Sequence, residues 1–136
     1  MHTTHEDELR EWARGLLPLE AATELLIRTG WAAPGYGWIR REDDGRVWID
    51  FESIPERIGA LSGGEQRVLR IAASLGADSP IILGDELAGL DRTTTALVLA
   101  AIAHTAGVHT VGRSIEVNTV GLPALVDVPP LYTWPI

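Results

Sequence analysis

The chain has 136 residues, enough for one domain with a real core, and an ordinary globular balance of 46% hydrophobic and 22% charged residues. Its 19 acidic residues against 11 basic ones give a formal net charge of −8. This argues against broad nucleic-acid binding and against anionic membrane surfaces, both of which recruit Lys and Arg. Cysteine is absent, which excludes a disulfide framework and a thiolate metal site.

All 11 basic residues are arginine, and Ala and Gly are plentiful, a bias that points to a high-GC genome such as an actinobacterium or one of its phages. The opening MHTTHEDELREW is polar and acidic and has no apolar h-region. The longest apolar run, ALVLAAIA at 96–103, is too short to span a bilayer. A cytoplasmic protein without membrane insertion is expected.

In chain order, EDELREWARGL (6–16) puts Leu9, Trp12, Ala13 and Leu16 at helical spacing with acids in the first turn. His2 and His5 beside Glu6 and Asp7 have a faint look of a metal cluster, and a frayed polar terminus is the preferred reading. After Pro18, LEAATELLIRTG predicts a second helix ending at Gly30 as C′ residue. GWAAPGYG (30–37) reads as loop. YGWIRRE and RVWIDF flank DDG as a hairpin, on which Trp38 and Trp48 are expected to pair; most of the five tryptophans are expected in the core.

Residues 65–75 predict a helix with Val68, Ile71, Ala72 and Leu75 on one face and Gly76 as its stop. PIILG (80–84) reads as a buried parallel strand. A helix with Asp91 as N-cap runs to Gly107, with His104 near its C-terminal end favouring the dipole. VHTV (108–111) and SIEVNTV (114–120) read as further strands, and the tail from 121 as irregular or edge structure. The tail's Leu131, Tyr132, Trp134 and Ile136 are either core or an exposed anchor for a partner. The sum is an α/β single domain over 1–136: a helical part with a hairpin to 60, a core from 61 to 120, and a tail from 121 to 136.

Two short motifs carry chemistry. In LSGGE, Ser62 and Glu65 form S-x-x-E, a capping box, and Gly63 and Gly64 allow close approach to helix N–H groups that can also receive a phosphate. In IILGDE, a strand ending in Asp85 and Glu86 sets two carboxylates where α/β proteins bind ligands. Asp85 is suited to Mg²⁺ and Glu86 to polarising a water; the plain alternative is a solvated turn. Arg67 and Arg70, three apart, read as a solvated face.

LSGGEQRVLRIAASLGADSPIILGDELAGLD (61–91) resembles the signature, Walker B and D-loop half of the ABC ATPases and their SMC/RecF/Rad50-like relatives. The resemblance implies that Ser62, Gly63, Gly64 and Glu65 belong to the signature, which meets the γ-phosphate of a nucleotide held by another subunit. It further implies that Asp85 is the Mg²⁺ ligand, Glu86 the catalytic glutamate and Asp91 the D-loop aspartate. The implied fold is a reduced ABC-ATPase-like domain with a short parallel sheet core, N-terminal helices and a small β-hairpin.

The departures are equally informative. Walker A needs a lysine, and the chain has none. GWAAPGYG places Tyr36 and Gly37 where Lys and Ser/Thr belong and follows a helical pattern. Too few residues precede Leu61 for a Walker A half plus a helical insert. DELAGLD lacks the proline of DEPTSALD and is one residue shorter. Instead of a switch histidine after the next strand, His109 comes early and Arg113 or Ser114 lies nearer the expected place.

The expected function is therefore that of a truncated ABC-ATPase-like protein without autonomous ATPase activity, which acts through protein–protein contact. Its expected partner is a second copy or a host ABC- or SMC-type ATPase. In outline it resembles the small host-interfering proteins of actinobacteriophages, active and toxic in the host cytoplasm. ATP with Mg²⁺ is the cofactor if any is held. The alternatives are a minimal ATPase using Asp85 and Glu86, and a structural domain with a degenerate motif.

Overall fold

The computed structural model of the protein describes residues 3–136, so His2 lies outside the described residues. Helix α1 (His5–Ala13) is capped by Thr4, whose hydroxyl accepts from Asp7 N–H, and it carries Glu6, Asp7 and Glu8 on its first turn, where the helix dipole favours them. Helix α2 (Leu17–Thr29) contains Pro18 at its first turn, where a missing N–H costs nothing, so the proline opens the helix and does not precede it. Gly30 ends it at φ 87° with its N–H on the last carbonyls.

A hairpin follows: β1 (Ile39–Arg41) pairs antiparallel with β2 (Val47–Ile49), with Ile39 opposite Ile49 and Arg40 opposite Trp48. Trp38 therefore does not pair with Trp48. It stacks on Tyr36 at 5.1 Å between ring centroids and donates its indole N–H to the Trp31 carbonyl, because the loop before β1 folds back on the body. Of the five tryptophans, only Trp38 is fully buried; Trp12 lies at the surface, while Trp31, Trp48 and Trp134 are half-buried.

A 3-10 turn (Phe51–Ser53) and the short α3 (Ile54–Arg57) lead to α4 (Gly63–Ala77), α5 (Leu83–Leu87) and α6 (Arg92–Thr105). The chain ends in a second antiparallel ribbon, β3 (Gly112–Val117) against β4 (Pro123–Val128). Helix α2 is the hub, packed on α6, α4 and α1. Its Ala21, Ala22, Leu25 and Leu26 meet Leu69, Ala72 and Ala73 of α4 and Val98 and Ala101 of α6 in one continuous core. The small alanine faces let three helices approach closely, and the leucines fill the space between them.

The result is a mixture of helices with two small antiparallel sheets, and the expected parallel core is not formed among the described residues. The segment expected as its strand, 80–84, has no strand neighbour to pair with. Residues 80–82 run unpaired, and LGDEL winds into α5, leaving Ile82 and Leu83 exposed. A four-residue apolar run cannot by itself distinguish strand from helix, and the strand reading depended on partners that are absent.

Other boundaries move for equally local reasons. Gly76 does not stop α4; it lies inside it, where a Cβ would sit 2.6 Å from the Phe51 ring, and the helix ends at Asp78 in a left-handed conformation. Residues 108–111 are not a strand: pairing starts at Gly112 and stops at Val117. The tail contributes β4 to the same ribbon.

Candidate functional site

The signature-like residues stand at the N-terminus of α4. Ser62 Oγ accepts from Glu65 N–H at 3.3 Å, and Glu65 Oε1 accepts from Ser62 N–H at 3.0 Å, so the capping box is complete. The Ser62 hydrogen bonds hold the Glu65 carboxyl below its ordinary range. This cap uses the Ser62 and Glu65 amides, which leaves Gly63 and Gly64 as the free donors of the first turn.

Asp91 caps α6 in the same manner, accepting from Thr94 N–H at 2.6 Å, and that bond lowers its carboxyl pKa. The two helix starts face one cleft of about 440 Å³, lined among others by Ser62, Gly64, Glu65, Gly89, Asp91 and Arg28. The Arg67 guanidinium lies against Gly89, at φ 89° in the turn before Asp91, with its Nη1 3.2 Å from where a Cβ would be. The structure thus brings the signature-like and D-loop-like residues together. Yet both carboxylates at the cleft are ionised caps. Arg28 is already committed to Glu24 and the Pro135 carbonyl, with its guanidinium over Trp134.

Asp85 and Glu86 are not part of that cleft's lining. Asp85 is exposed on the first turn of α5. Glu86 is buried, and both its oxygens accept from Arg70 Nε, at 2.9 and 3.0 Å. Arg70 in turn donates to Gln66 at 2.9 Å. Arg70, expected on a solvated face, is therefore the group that clips α5 to α4. Glu86 would have to give up this pair before it could polarise a water. Among the described residues no group of three or more His, Asp or Glu is placed to hold a metal ion.

One cluster escaped the sequence reading. His104 Nε2 bonds Glu20 Oε1 at 2.8 Å, its Nδ1 accepts from the Trp134 indole at 3.0 Å, and its ring stacks on His109 at 3.8 Å. The Trp134 bond requires an unprotonated Nδ1, so Nε2 carries the proton given to Glu20. Hydrogen bonding from His104, with a further bond from Gly15 N–H, holds the Glu20 carboxyl below its usual range. Positions 20, 104, 109 and 134 share no local spacing, and only the packing of α2 on α6 unites them. The cluster ties the tail to the body, so Trp134 is packed while Leu131 and Ile136 stay exposed. His5, placed near a frayed end by the sequence, instead bonds the Ala32 carbonyl at 2.7 Å.

Comparison with family models, curated proteins and solved structures gives no match for this chain. Function must be argued from the residues themselves. No helix among the described residues is long and apolar enough to cross a membrane.

Proposed function

We propose that this chain is a non-autonomous, ABC-ATPase-like protein that acts by engaging another protein and does not hydrolyse ATP by itself. The observation that carries the reading is the state of Glu86: buried, on a five-residue helix, with both oxygens held by Arg70. A general base must reach the proton it abstracts, and this carboxylate is committed to a structural pair outside the signature-like cleft. The absence of lysine removes the usual phosphate clamp.

Gly63 and Gly64, with free N–H groups at a helix start, are suited to a phosphate presented by a partner's site. The ionised Glu65 and Asp91 beside them disfavour a free triphosphate without its own counter-charges. An ABC- or SMC-type ATPase, which brings its own Walker A lysine and Mg²⁺, is the partner class this chemistry fits. Interference with such an enzyme in a bacterial host is the role that a signature-like motif without a Walker A lysine fits.

Calorimetry with Mg-ATP on wild type and Glu86→Gln tests the proposal. The expected result is no saturable binding up to about 1 mM, corresponding to binding weaker than about −4 kcal/mol. Saturable binding together with ATP turnover that Glu86→Gln abolishes would establish the minimal ATPase instead.

A further inference from the structure

We propose that the β3–β4 ribbon is a self-association surface on which a second copy of this chain packs, outer face against outer face. The inference rests on the reading that the protein works through protein contact, and it names the first partner.

The ribbon is a built element. Asn118 Oδ1 accepts from both Val120 and Leu122 N–H at 3.0 Å to shape its turn, and Leu131 N–H donates to the Val108 carbonyl to close its base. Its strands pair with each other, and none of their residues belongs to the hydrophobic core. Strand alternation gives it two faces. Ser114, Val126 and Val128 on one face are half-buried. The other face carries Ile115 opposite Leu125 and Val117 opposite Pro123, with Ile115 73% and Leu125 60% exposed. This is the reverse of the usual pattern, in which a half-solvated ribbon turns its polar residues outward. A lone two-stranded ribbon is marginal in water, and this one offers water its apolar side.

Size and charge identify the occupant. With Val111, Val120 and Leu122 exposed beside them, the apolar surface extends beyond the paired strands toward the extent a standard stable interface needs, about 800 Å² per partner. The chain carries −8, so copies meet only where charge is balanced. On the outer face the charged residues are Arg113 and Asp127, opposite each other and 3.4 Å apart, which makes the face neutral and compatible with itself. A polyanion would find no excess positive charge there.

Sedimentation of the full chain from about 1 to 100 μM tests this, since a micromolar Kd gives mostly dimer at the upper end. The double variant Ile115→Thr/Leu125→Thr, which retains strand-favouring residues, is expected to weaken the dimer at least about tenfold. Leu99→Thr, at an exposed apolar position on α6, is expected to leave it unchanged. Amide exchange in 112–128 is expected to slow as concentration rises. A wild-type monomer at the upper concentration overturns the proposal, as does a dimer that the double variant does not weaken. Either failure is separable from ATP binding, which bears on the proposed function alone.

Discussion

The α2–α4–α6 body and the β3–β4 ribbon solve the same problem in opposite ways. In the body, each apolar helix face finds another, and Leu25, Leu26 and Leu69 are wholly buried. In the ribbon, side chains of the same chemical type stay in water, because a ribbon projecting from its base has no second layer of the same chain to cover it. Apolar composition therefore reports burial in the first region and an unmet need for it in the second. The motif residues 61–91 fall on the body side of this division: they cap, clip and connect helices.

The sharpest way to break the comparison is to truncate one leucine in each region. Leu69→Ala is expected to cost about 2–5 kcal/mol in denaturant unfolding, through lost burial and a residual cavity. Leu125→Thr in the ribbon is expected to stay within about 0.5 kcal/mol when measured on dilute monomer. A large loss at Leu125 would mean that the ribbon belongs to the folding core.

Gly76→Ala is expected to cost about 1–3 kcal/mol, because the new methyl meets the Phe51 ring where α4 passes it closely. An unchanged Tm would show that Phe51 yields without strain. Arg70→Ala leaves the buried Glu86 carboxylate without its partner and is expected to cost about 1–3 kcal/mol, reduced by the partial exposure of the arginine. Glu86→Gln, which keeps the volume and one acceptor, should cost less than Arg70→Ala in the same assay. A neutral Arg70→Ala would remove the argument that Glu86 is a structural group.

The smallest expected effect is the dependence on pH. His109 is held below its ordinary value by burial first and then by neighbouring His104, with Glu20 opposing. The unfolded chain then takes up a proton before the folded one as pH falls below about 6.5. Stability from this group is complete above that value and is lost as pH falls towards the folded pKa. Glu20 adds a separate loss only lower, through the carboxylate range. The Tm is expected to fall between about pH 7 and pH 5.5, and His109→Gln should flatten that part of the curve. A Tm insensitive to pH there would mean that His109 titrates as it does in the unfolded chain.

Much of the local structure was legible in the sequence. Helix starts at Ser62 and Asp91, the end of α2 at Gly30, and the first hairpin all follow from caps, a left-handed glycine and a turn, which are decided within four or five residues. The capping box at Ser62 and Glu65 formed as its spacing requires. Illegible were the fate of 80–84, the register that separates Trp38 from Trp48, and the pairing of the strand expected at 114–120 with a strand from the tail. Each depends on which distant segment lies alongside.

By itself, then, the sequence determined α1, α2, α4 and α6, the caps at Ser62 and Asp91, and an acidic composition whose only Lys/Arg-type residues are arginines, with no Walker A lysine, because these follow from residue chemistry and short-range geometry. Only the tertiary structure decided that Arg70 would close on Glu86, that Ser62 and Asp91 would share one cleft, that His104 would hold Trp134, and that Ile115 and Leu125 would face water. Those outcomes depend on contacts between residues far apart in the chain, and no local pattern encodes which of them is made.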